Sequence, residues 1–465
     1  MKIKFLGAAK TVTGSRTLMS FNHHKFLIDC GLFQGPKPLR TRNWQKPEGL
    51  EGLSGVLLTH AHIDHSGYLP KLVKDGFRGP IYCTEATAEL CKIMLLDAAH
   101  LQEEDARFAN MAKYSRHSPC LPLFDTQDAM AAIEFLRPMP MNKWHELHPG
   151  IGFQFLRSGH ILGSAFIQIQ YTSGNESRLL TFSGDLGNQR SKVLKPPVHL
   201  METDYLVLEA TYGDRVQSHE DPLMPFAEII NRVISRRGTL VIPAFTVGRT
   251  QEMLHMIHEL QRKNLIGNVP VYLDSPMAQD VTEIYLRFKD ELRLENHEDG
   301  FVAPFSPLDY KVVKSADDSM LLCMSTKPKI VISAAGMLTG GRVMHHLKAK
   351  LPDENSAVLF VGYQPEGTKG RLLRSGLTTI RIHHELVHVE AEILSLDNLS
   401  AHADSDETLD WLKQLQRKPR EVFLNHGEPA ALEALKYRIQ TELGWKARVV
   451  EQDEEILLDG LEVKV

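Results

Sequence analysis

Short apolar runs bounded by turn-forming residues dominate the first part of the chain, up to about Leu208. Such runs are typical of strands that pack against a core. A helical period interrupts them around residues 85–111. The pattern predicts sheets with few helices, and the predicted strands cover residues 17–21, 25–29, 56–59, 153–156, 166–171, 179–183 and 205–209.

From Asp221 onward the pattern changes to strands and helices in turn. This alternation is typical of an α/β domain with a parallel sheet. The predicted helices cover residues 221–236, 247–263, 276–289 and 341–350. The predicted strands cover residues 238–243, 270–273, 329–333 and 357–362.

Three histidines and one aspartate fall within six consecutive positions, directly after the apolar strand predicted at residues 56–59. They are His60, His62, Asp64 and His65. Neutral imidazole and carboxylate groups are ligands of first-row metal ions. Because a buried strand holds this turn, several of these side chains can converge on one or two ions. The H-x-H-x-D-H pattern therefore predicts a metal site.

Three further candidates, His160, Asp185 and His426, each follow a predicted strand and lie in a glycine-containing turn. Taken singly, each is explained at least as well by a turn or capping role as by metal binding. Together with the first block they make seven ligands, enough for two metal ions. The set predicts one site from His60, His62 and His160, a second from Asp64, His65 and His426, and Asp185 as the bridge.

The order of Asp29, the H-x-H-x-D-H block, His160, Asp185 and His426 resembles the successive motifs of metallo-β-lactamase-fold hydrolases. Three segments indicate a closer resemblance to the β-CASP family of nucleases. This resemblance covers nearly the whole chain. LVLEATYG at 206–213 resembles motif A of that family, LSAHAD at 399–404 motif B, and NHGE at 425–428 motif C. The pattern is most similar to bacterial and archaeal β-CASP ribonucleases and to the endonuclease subunit of the pre-mRNA 3′-processing complex.

The resemblance implies an α/β fold in which a metallo-β-lactamase αββα sandwich carries an inserted α/β β-CASP domain. Motifs B and C return the chain to the first domain. The implied boundaries are therefore residues 1–210 and 392–465 for the metallo-β-lactamase domain and 211–391 for the β-CASP domain. The cleft between the two domains is the expected active site.

The resemblance also implies a zinc-dependent ribonuclease that hydrolyses phosphodiester bonds of single-stranded RNA through a hydroxide bridging two Zn²⁺ ions. The implied catalytic residues are Asp64, which is also a ligand, Glu209 and His402. His402 is the expected general acid, and Glu209 accepts from its other ring nitrogen. Asp29 is expected to orient a ligand histidine. From the residues alone, a cap or turn role explains Glu209, His402 and Asp29 equally well.

Three other functions stay open. A thioesterase, glyoxalase or lactonase would use the same ligands, but it has no reason to carry the α/β insertion or the Glu209 and His402 pair. A scaffold subunit without activity is expected to have lost ligands, and this chain has lost none. A DNA-processing β-CASP nuclease is disfavoured by His426, because DNA-directed members are expected to lack a histidine there.

The net charge of −5 offers no overall attraction for a polyanion, so local cations must supply it. Turns at 244–249, 333–337 and 367–371 follow strands of the predicted α/β domain, where such folds bind ligands. We expect these turns to hold RNA phosphates flanking the scissile one. The predicted phosphate-binding residues are Arg249, Ser333, Thr368, Lys369 and Arg371.

The remaining composition is that of an ordinary enzyme. Hydrophobic residues make up 43% and charged residues 24% of the 465 positions, which matches globular averages. No apolar run approaches the length of a membrane span, and the N-terminus begins as a strand rather than a signal peptide. The five cysteines are scattered and without CxxC spacing, so a disulfide framework is not expected. We expect a cytoplasmic protein, and a homodimer stays open.

Overall fold

The computed structural model describes residues 1–112, 118–218, 220–293, 304–338, 340–362, 364, 368–396 and 399–459. The chain divides into two compact units. Unit 1 comprises Met1–Arg190, Pro196–Val216 and His402–Val465, and unit 2 comprises Ser191–Lys195 and Gln217–Ala401. The second unit is therefore an insertion in the sequence of the first.

The strands of unit 1 before the insertion are short and mostly half-buried or buried. In chain order they are β1 (Lys2–Phe5), β2 (Thr17–Phe21), β3 (His24–Ile28), β4 (Leu53–Leu57), β5 (Ile81–Thr84), β6 (Leu136–Met139), β7 (His145–His148), β8 (Ile151–Arg157), β9 (Ala165–Ser173), β10 (Glu176–Phe182) and β11 (Tyr205–Glu209). The helices of this part are α1 (Lys37–Thr41), α2 (Ile63–Ser66), α3 (Leu69–Lys74), α4 (Glu85–Ala112) and α5 (Thr126–Glu134), with a 3₁₀ turn at Arg42–Trp44.

Unit 2 alternates strands with helices. Its strands are β12 (Thr239–Pro243), β13 (Val271–Leu273), β14 (Tyr310–Val312), β15 (Lys329–Ser333), β16 (Ala357–Phe360), β17 (Thr379–Ile382), β18 (Glu385–His388) and β19 (Glu392–Ser395). Its helices are α6 (Leu223–Ser235), α7 (Arg249–Arg262), α8 (Pro276–Arg287), α9 (Ala316–Met324), α10 (Val343–Lys350) and α11 (Lys369–Arg374), with a 3₁₀ turn at Lys289–Glu291. The chain then returns to unit 1 with α12 (Ser405–Leu412), β20 (Glu421–Asn425), α13 (Pro429–Glu442), β21 (Ala447–Val449) and β22 (Glu455–Leu457).

Two seven-stranded sheets form the centre of unit 1. Their strand orders are β22-β1-β2-β3-β4-β5-β6 and β21-β20-β11-β10-β9-β8-β7. Strand β8 shows why the sheets face each other: its alternate residues Ile151, Phe153 and Phe155 are buried, while Gly152 and Gln154 are half-buried. The buried row packs with apolar residues of the first sheet into one core. This core between the sheets stabilises the sandwich.

Helices cover the outer faces of the two sheets. Leu208 of the second sheet and Phe166 belong to a second apolar cluster with Trp411 of α12 and Leu432 and Leu435 of α13. On the other side α4 packs on β5 and β6. The layers are therefore helix, sheet, sheet, helix, and the predicted αββα sandwich is confirmed.

The main sheet of unit 2 has six strands in the order β14-β13-β15-β12-β16-β19. All neighbouring pairs in it are parallel, so the predicted parallel sheet is confirmed. The carboxyl ends of these strands consequently lie along one edge, which we call the carboxyl edge of unit 2. Strands β17 and β18 form a separate hairpin. No helix among the described residues is long and apolar enough to cross a membrane.

Candidate metal centre

Strand order places the candidate ligands at common sheet edges. In the second sheet β10, β11 and β20 are mutually parallel neighbours, so Asp185, Glu209 and His426 leave their strands at one edge. Strand β8 runs parallel to β10 because both are antiparallel to β9, and it delivers His160 to the same edge. In the first sheet β4 leads into the H-x-H-x-D-H block through Leu58 and Thr59, and α2 begins within it.

Four of the candidate ligands form a first compact group: His60, His62, His160 and Asp185. His62 Nδ1 lies 3.2 Å from His60 Nε2 and 3.2 Å from His160 Nε2. Asp185 Oδ2 lies 3.5 Å from His60 Nε2 and 3.4 Å from His160 Nε2. A tetrahedral zinc site with bonds of about 2.0–2.1 Å places its ligand atoms about 3.3–3.4 Å apart. The spacing and the donor types of this group therefore fit a zinc ion.

A second group brings together Asp64, His65 and His426. His65 Nε2 lies 3.2 Å from His426 Nε2, and Asp64 Oδ2 lies 3.7 Å from the same nitrogen of His426. The Oδ1 atom of Asp185 approaches this group at 3.2 Å from His65 Nε2. That oxygen is buried and accepts no hydrogen bond. Asp185 thus offers one carboxylate oxygen to each group, and a buried acceptor without a donor is suited to a cation.

Asp29 and Thr59 orient two of the histidines. Asp29 Oδ2 accepts from His65 Nδ1 at 2.7 Å, which turns Nε2 of His65 toward the second group. Asp29 Oδ1 accepts from the amide of Thr59 at 2.8 Å, and the Thr59 hydroxyl lies 3.0 Å from His60 Nδ1. Such contacts fix ring orientation at metal sites. Thr59 had no role in the sequence analysis, although its position directly before the block was a usable signal.

Two close backbone approaches bring the site loops together. A Cβ at Gly31 would lie 1.6 Å from the carbonyl oxygen of Asp64, and a Cβ at Gly187 would lie 2.2 Å from the carbonyl of Gly159. No side chain fits at either distance. Glycine at these two positions therefore lets the loop after Asp29 reach the block, and lets the loop after Asp185 reach the turn that carries His160.

His402 stands beside the first group and is held by Glu209. Its Nδ1 atom lies 3.0 Å from Glu209 Oε1, which also accepts from the amide of Leu186 at 2.6 Å. Its Nε2 atom lies 4.0 Å from Asp185 Oδ2. Burial lowers the pKa of His402, but the Glu209 carboxylate and then Asp185 outweigh it and raise that pKa to about 9. The imidazole is therefore in its positively charged form at neutral pH. Glu209 fixes one of its two nitrogens.

The ligand histidines differ in the direction in which their surroundings shift the pKa. Burial, followed by the neighbouring His65, lowers the pKa of His60 well below its usual value, and burial with His402 does the same for His160. Both rings are therefore neutral, which is the form that binds metals. Burial also lowers the pKa of His65, but Asp185 and Asp29 outweigh it and raise that pKa well above its usual value. A cation held by Asp185 and by Nε2 of His65 would take the place of the proton on that nitrogen, and Nδ1 would keep its hydrogen bond to Asp29.

The predicted phosphate-binding residues lie at the carboxyl edge of unit 2, in different surroundings. Arg249 is buried at the start of α7 and pairs with Glu252, and Ser333 is buried with its hydroxyl donating to the carbonyl of Asp274 at 3.0 Å. The side chain of Thr368 caps α11 by accepting from the amide of Arg371. Lys369 is half-buried and Arg371 exposed, both on α11, and Gly367 of the same predicted turn lies outside the described residues.

Comparison with known families matches three domain models in chain order. A "Beta-lactamase superfamily domain" covers residues 24–187, a "Beta-Casp domain" residues 250–373, and a "Zn-dependent metallo-hydrolase RNA specificity domain" residues 386–450. A structure from Enterococcus faecalis V583, described as a protein of unknown function, matches with a TM-score of 0.55 at 13% identity, over 98% of this chain and 99% of that chain. That likeness shows a shared fold.

Several named proteins are similar over most of the chain. Ribonuclease TTHA0252 of Thermus thermophilus is 38% identical over 442 residues, which span 94% of this chain and 95% of that protein. Transcription termination factor FttA of Methanosarcina mazei is 30% identical over 98% of this chain and 72% of that protein, and FttA of Methanocaldococcus jannaschii 28% over 92% and 67%. Together with the domain models and the histidine and aspartate cluster, these similarities show that the chain belongs to the β-CASP family of zinc-dependent metallo-hydrolases, and to the ribonucleases within it.

Proposed function

We propose that this chain hydrolyses phosphodiester bonds of single-stranded RNA at a pair of zinc ions. The observation that carries the proposal is the sharing of Asp185 between two ligand groups, with one oxygen offered to each. His60, His62 and His160 would hold one ion, and Asp64, His65 and His426 the other. Seven ligands exceed what one tetrahedral ion uses, which supports a pair. Zinc held by these residues would supply a water of lowered pKa and positive charge for the phosphodiester oxygens.

The chain itself supplies the proton that the leaving oxygen needs. His402 is the candidate donor because it carries a proton at neutral pH and its Nε2 atom faces Asp185 Oδ2 at 4.0 Å. Glu209 fixes the opposite ring nitrogen and stabilises the charged form, so it acts as a positioning residue. Asp29 is also a positioning residue: it accepts from Nδ1 of His65 and so turns the Nε2 atom of that ring toward the second ligand group. Asp64 serves the reaction as a ligand at the catalytic centre.

Several observations favour RNA over the other substrates. His426 stands in the NHGE segment and closes the second ligand group, and a domain model described by RNA specificity matches this part of the chain. The relative with the highest identity given above is named a ribonuclease. Unit 2 and the Glu209–His402 pair have no task in a thioesterase or lactonase. We assign residues 1–210 and 392–465 to the metallo-β-lactamase domain and 211–391 to the β-CASP domain. These boundaries differ from those of the two compact units by up to ten residues, and β19 (Glu392–Ser395) pairs within the sheet of unit 2.

We further propose that the carboxyl edge of unit 2 holds phosphates of the bound strand. Thr368, Lys369 and Arg371 lie together at the start of α11, and the amides and cations of such turns bind phosphate oxygens. Arg249 and Ser333 are buried, so their proposed role is to stabilise this edge rather than to contact phosphates directly. The protein is proposed to work in the cytoplasm, as a monomer or a homodimer.

One experiment tests the proposal directly. Purified protein is stripped with a chelator, reloaded with increasing zinc, and assayed on a labelled single-stranded RNA and on DNA of the same sequence. We expect RNA cleavage to reach its maximum at two zinc ions per chain, with little cleavage of DNA. Full activity at one ion per chain would contradict the paired site, and equal cleavage of DNA would contradict the substrate assignment.

A further inference from the structure

An exposed aromatic ring lies at the carboxyl edge of unit 2. Phe245 follows β12 directly after Ala244, which is fully buried, yet 38% of Phe245 is exposed. A single exposed apolar side chain is ordinary on a protein surface, so exposure alone assigns no role to this ring, and its backbone support and its neighbours must carry the argument. The proposed function assigns no task to this ring.

The turn that carries Phe245 is held firmly. The amide of Ala244 donates to the carbonyl of Ser333 at 3.1 Å. The carbonyl of Phe245 accepts from the amide of Thr250 at 3.1 Å and from its hydroxyl at 2.8 Å. The turn is thus tied to the neighbouring strand β15 through Ala244 and to the first turn of α7 through Phe245. The ring is exposed on a fixed support, which lowers the conformational entropy lost when a ligand binds.

Two glycines make room for one edge of the ring. A Cβ at Gly336 would lie 3.2 Å from Cδ2 of Phe245, closer than ordinary van der Waals contact, and a Cβ at Gly362 would lie 3.6 Å from Cε2. Both contacts fall on the same edge of the ring. The turns after β15 and β16 therefore support Phe245 through their backbones and place no side chain over it from these two positions.

The surroundings of the ring suit a nucleic acid. Strand β12 lies beside β16 in the sheet, and α11 with Lys369 and Arg371 is the next helix after β16. Proteins bind single strands by combining cations that follow the phosphates with aromatic side chains on which bases stack. An aromatic ring and two cations at the same sheet edge fit a planar base attached to a phosphate better than an aliphatic ligand. We infer that Phe245 is a stacking platform for one base of the single-stranded RNA, an inference that rests on the proposed function.

The test combines substitutions in the protein with substitutions in the RNA. Phe245→Leu removes the aromatic face and keeps an apolar side chain, whereas Phe245→Tyr keeps the face. A series of short RNAs carries one abasic site at successive positions. Binding is measured by fluorescence anisotropy of zinc-loaded protein in a His402→Ala background, so that the RNA stays uncut. Phe108→Leu makes the same change at an exposed phenylalanine of α4 and serves as the control.

We expect Phe245→Leu to raise Kd by about 5- to 150-fold, since stacking on one base is worth about 1–3 kcal/mol. Phe245→Tyr and Phe108→Leu should stay close to the parent protein. One abasic position should weaken binding to the parent by the same factor and have no further effect on Phe245→Leu. Equal abasic effects on both proteins would overturn the inference, as would a Phe245→Tyr variant that binds as weakly as Phe245→Leu.

A second measurement separates this inference from the proposed function. With His402 intact, Phe245→Leu should hydrolyse bis-p-nitrophenyl phosphate at the parent rate, because that substrate offers no strand to stack. A parent protein that hydrolyses this small ester and leaves RNA uncut would overturn the proposed function. The anisotropy results would still decide whether Phe245 stacks on a base.

Discussion

Each unit buries a cluster of histidine and aspartate side chains. The clusters differ in whether hydrogen-bond donors lie opposite acceptors. In unit 2, Asp274 and His346 are both fully buried. Asp274 Oδ2 accepts from His346 Nε2 at 2.6 Å and from the Ser319 hydroxyl at 2.5 Å, and Oδ1 accepts from Arg342 Nη1 at 2.8 Å. Each of these donors meets an acceptor, so the cluster is complete as a hydrogen-bond network.

In unit 1, ring nitrogens lie close to other ring nitrogens, and one buried carboxylate oxygen has no donor. Ring nitrogens of His60, His62 and His160 converge at 3.2 Å, and Asp185 Oδ1 accepts no hydrogen bond although it is buried. Lone pairs that converge on one point are stabilised by a cation and by little else. Residue types alone therefore do not identify a metal site. The arrangement of donors and acceptors distinguishes the two clusters.

The largest expected effect is the loss of both ions from one substitution in unit 1. Asp185→Ala removes the carboxylate that reaches both ligand groups, so we expect zinc content to fall from two ions per chain to less than one. RNA cleavage should fall below detection, because the attacking water and the phosphodiester both depend on the ions. Metal analysis together with a single-turnover assay measures this. A variant that keeps two ions would show that Asp185 is not the bridge.

Substitution of His402 should separate proton transfer from metal binding. His402→Ala leaves the seven ligands in place, so zinc content should stay at two ions per chain. RNA cleavage should fall by about 10²- to 10⁴-fold, the usual contribution of a general acid. Glu209→Gln should cause a smaller loss, because the ring keeps a hydrogen-bond partner but loses the charge that stabilises its protonated form. Loss of zinc from His402→Ala would make His402 a ligand instead.

A matched substitution in unit 2 should affect stability and leave the metals in place. Asp274→Ala leaves the buried Nε2 of His346 and the buried hydroxyl of Ser319 without this acceptor, whereas Arg342 keeps the carbonyls of Val313 and Lys314. Breaking a buried pair such as Asp274 and His346 costs about 3–5 kcal/mol. We expect the free energy of unfolding in denaturant titrations to fall by that amount. Zinc content of the folded protein should stay at two ions per chain. A loss of zinc equal to that of Asp185→Ala would remove the distinction between the clusters.

The pH dependence of stability gives a second measure of the Asp274 network. Burial raises the pKa of Asp274, but hydrogen bonds from His346, Ser319 and Arg342 outweigh it and lower that pKa. A carboxyl with a depressed pKa in the folded state stabilises the fold above its unfolded pKa of about 3.9 and loses this contribution as pH falls further. The difference in unfolding free energy between the parent and Asp274→Asn should therefore be constant at neutral pH and shrink below about pH 4. A difference that grows on acidification would contradict this sign.

Sequence reasoning identified the first cluster and not the second for a physical reason. Four side chains of the metal centre fall within six positions, since one turn after β4 carries them. Asp274 and His346 are 72 positions apart, and no spacing pattern connects them. Only the parallel order of β13 and β15 and the packing of α10 bring them together. Thr59 was missed although it directly precedes the block, because a threonine at the end of an apolar strand is explained equally well by its β-propensity.

Secondary-structure elements also differ in how well the sequence predicts them. The helix predicted at 247–263 is observed as Arg249–Arg262, because a long stretch carries the helical period through most of its length. Strand β14 was not predicted, since three residues at the edge of the sheet are too few for a period to show. Strand β4 ends at Leu57, two residues before the predicted end, because Leu58 and Thr59 turn toward the site. Helices α12 and α13 were also missed, and they cover the second sheet.

The smallest expected effect concerns the surface of unit 2 rather than its buried cluster. Arg371 is exposed on α11, so Arg371→Ala should weaken binding of single-stranded RNA modestly and leave folding and zinc content unchanged. One lost phosphate contact should reduce the slope of log K against log salt by about 0.7. Arg249→Ala provides the contrast: it leaves the half-buried Glu252 without its partner and should lower stability as well. If Arg371→Ala left the salt slope unchanged, the bound strand would follow another path across unit 2.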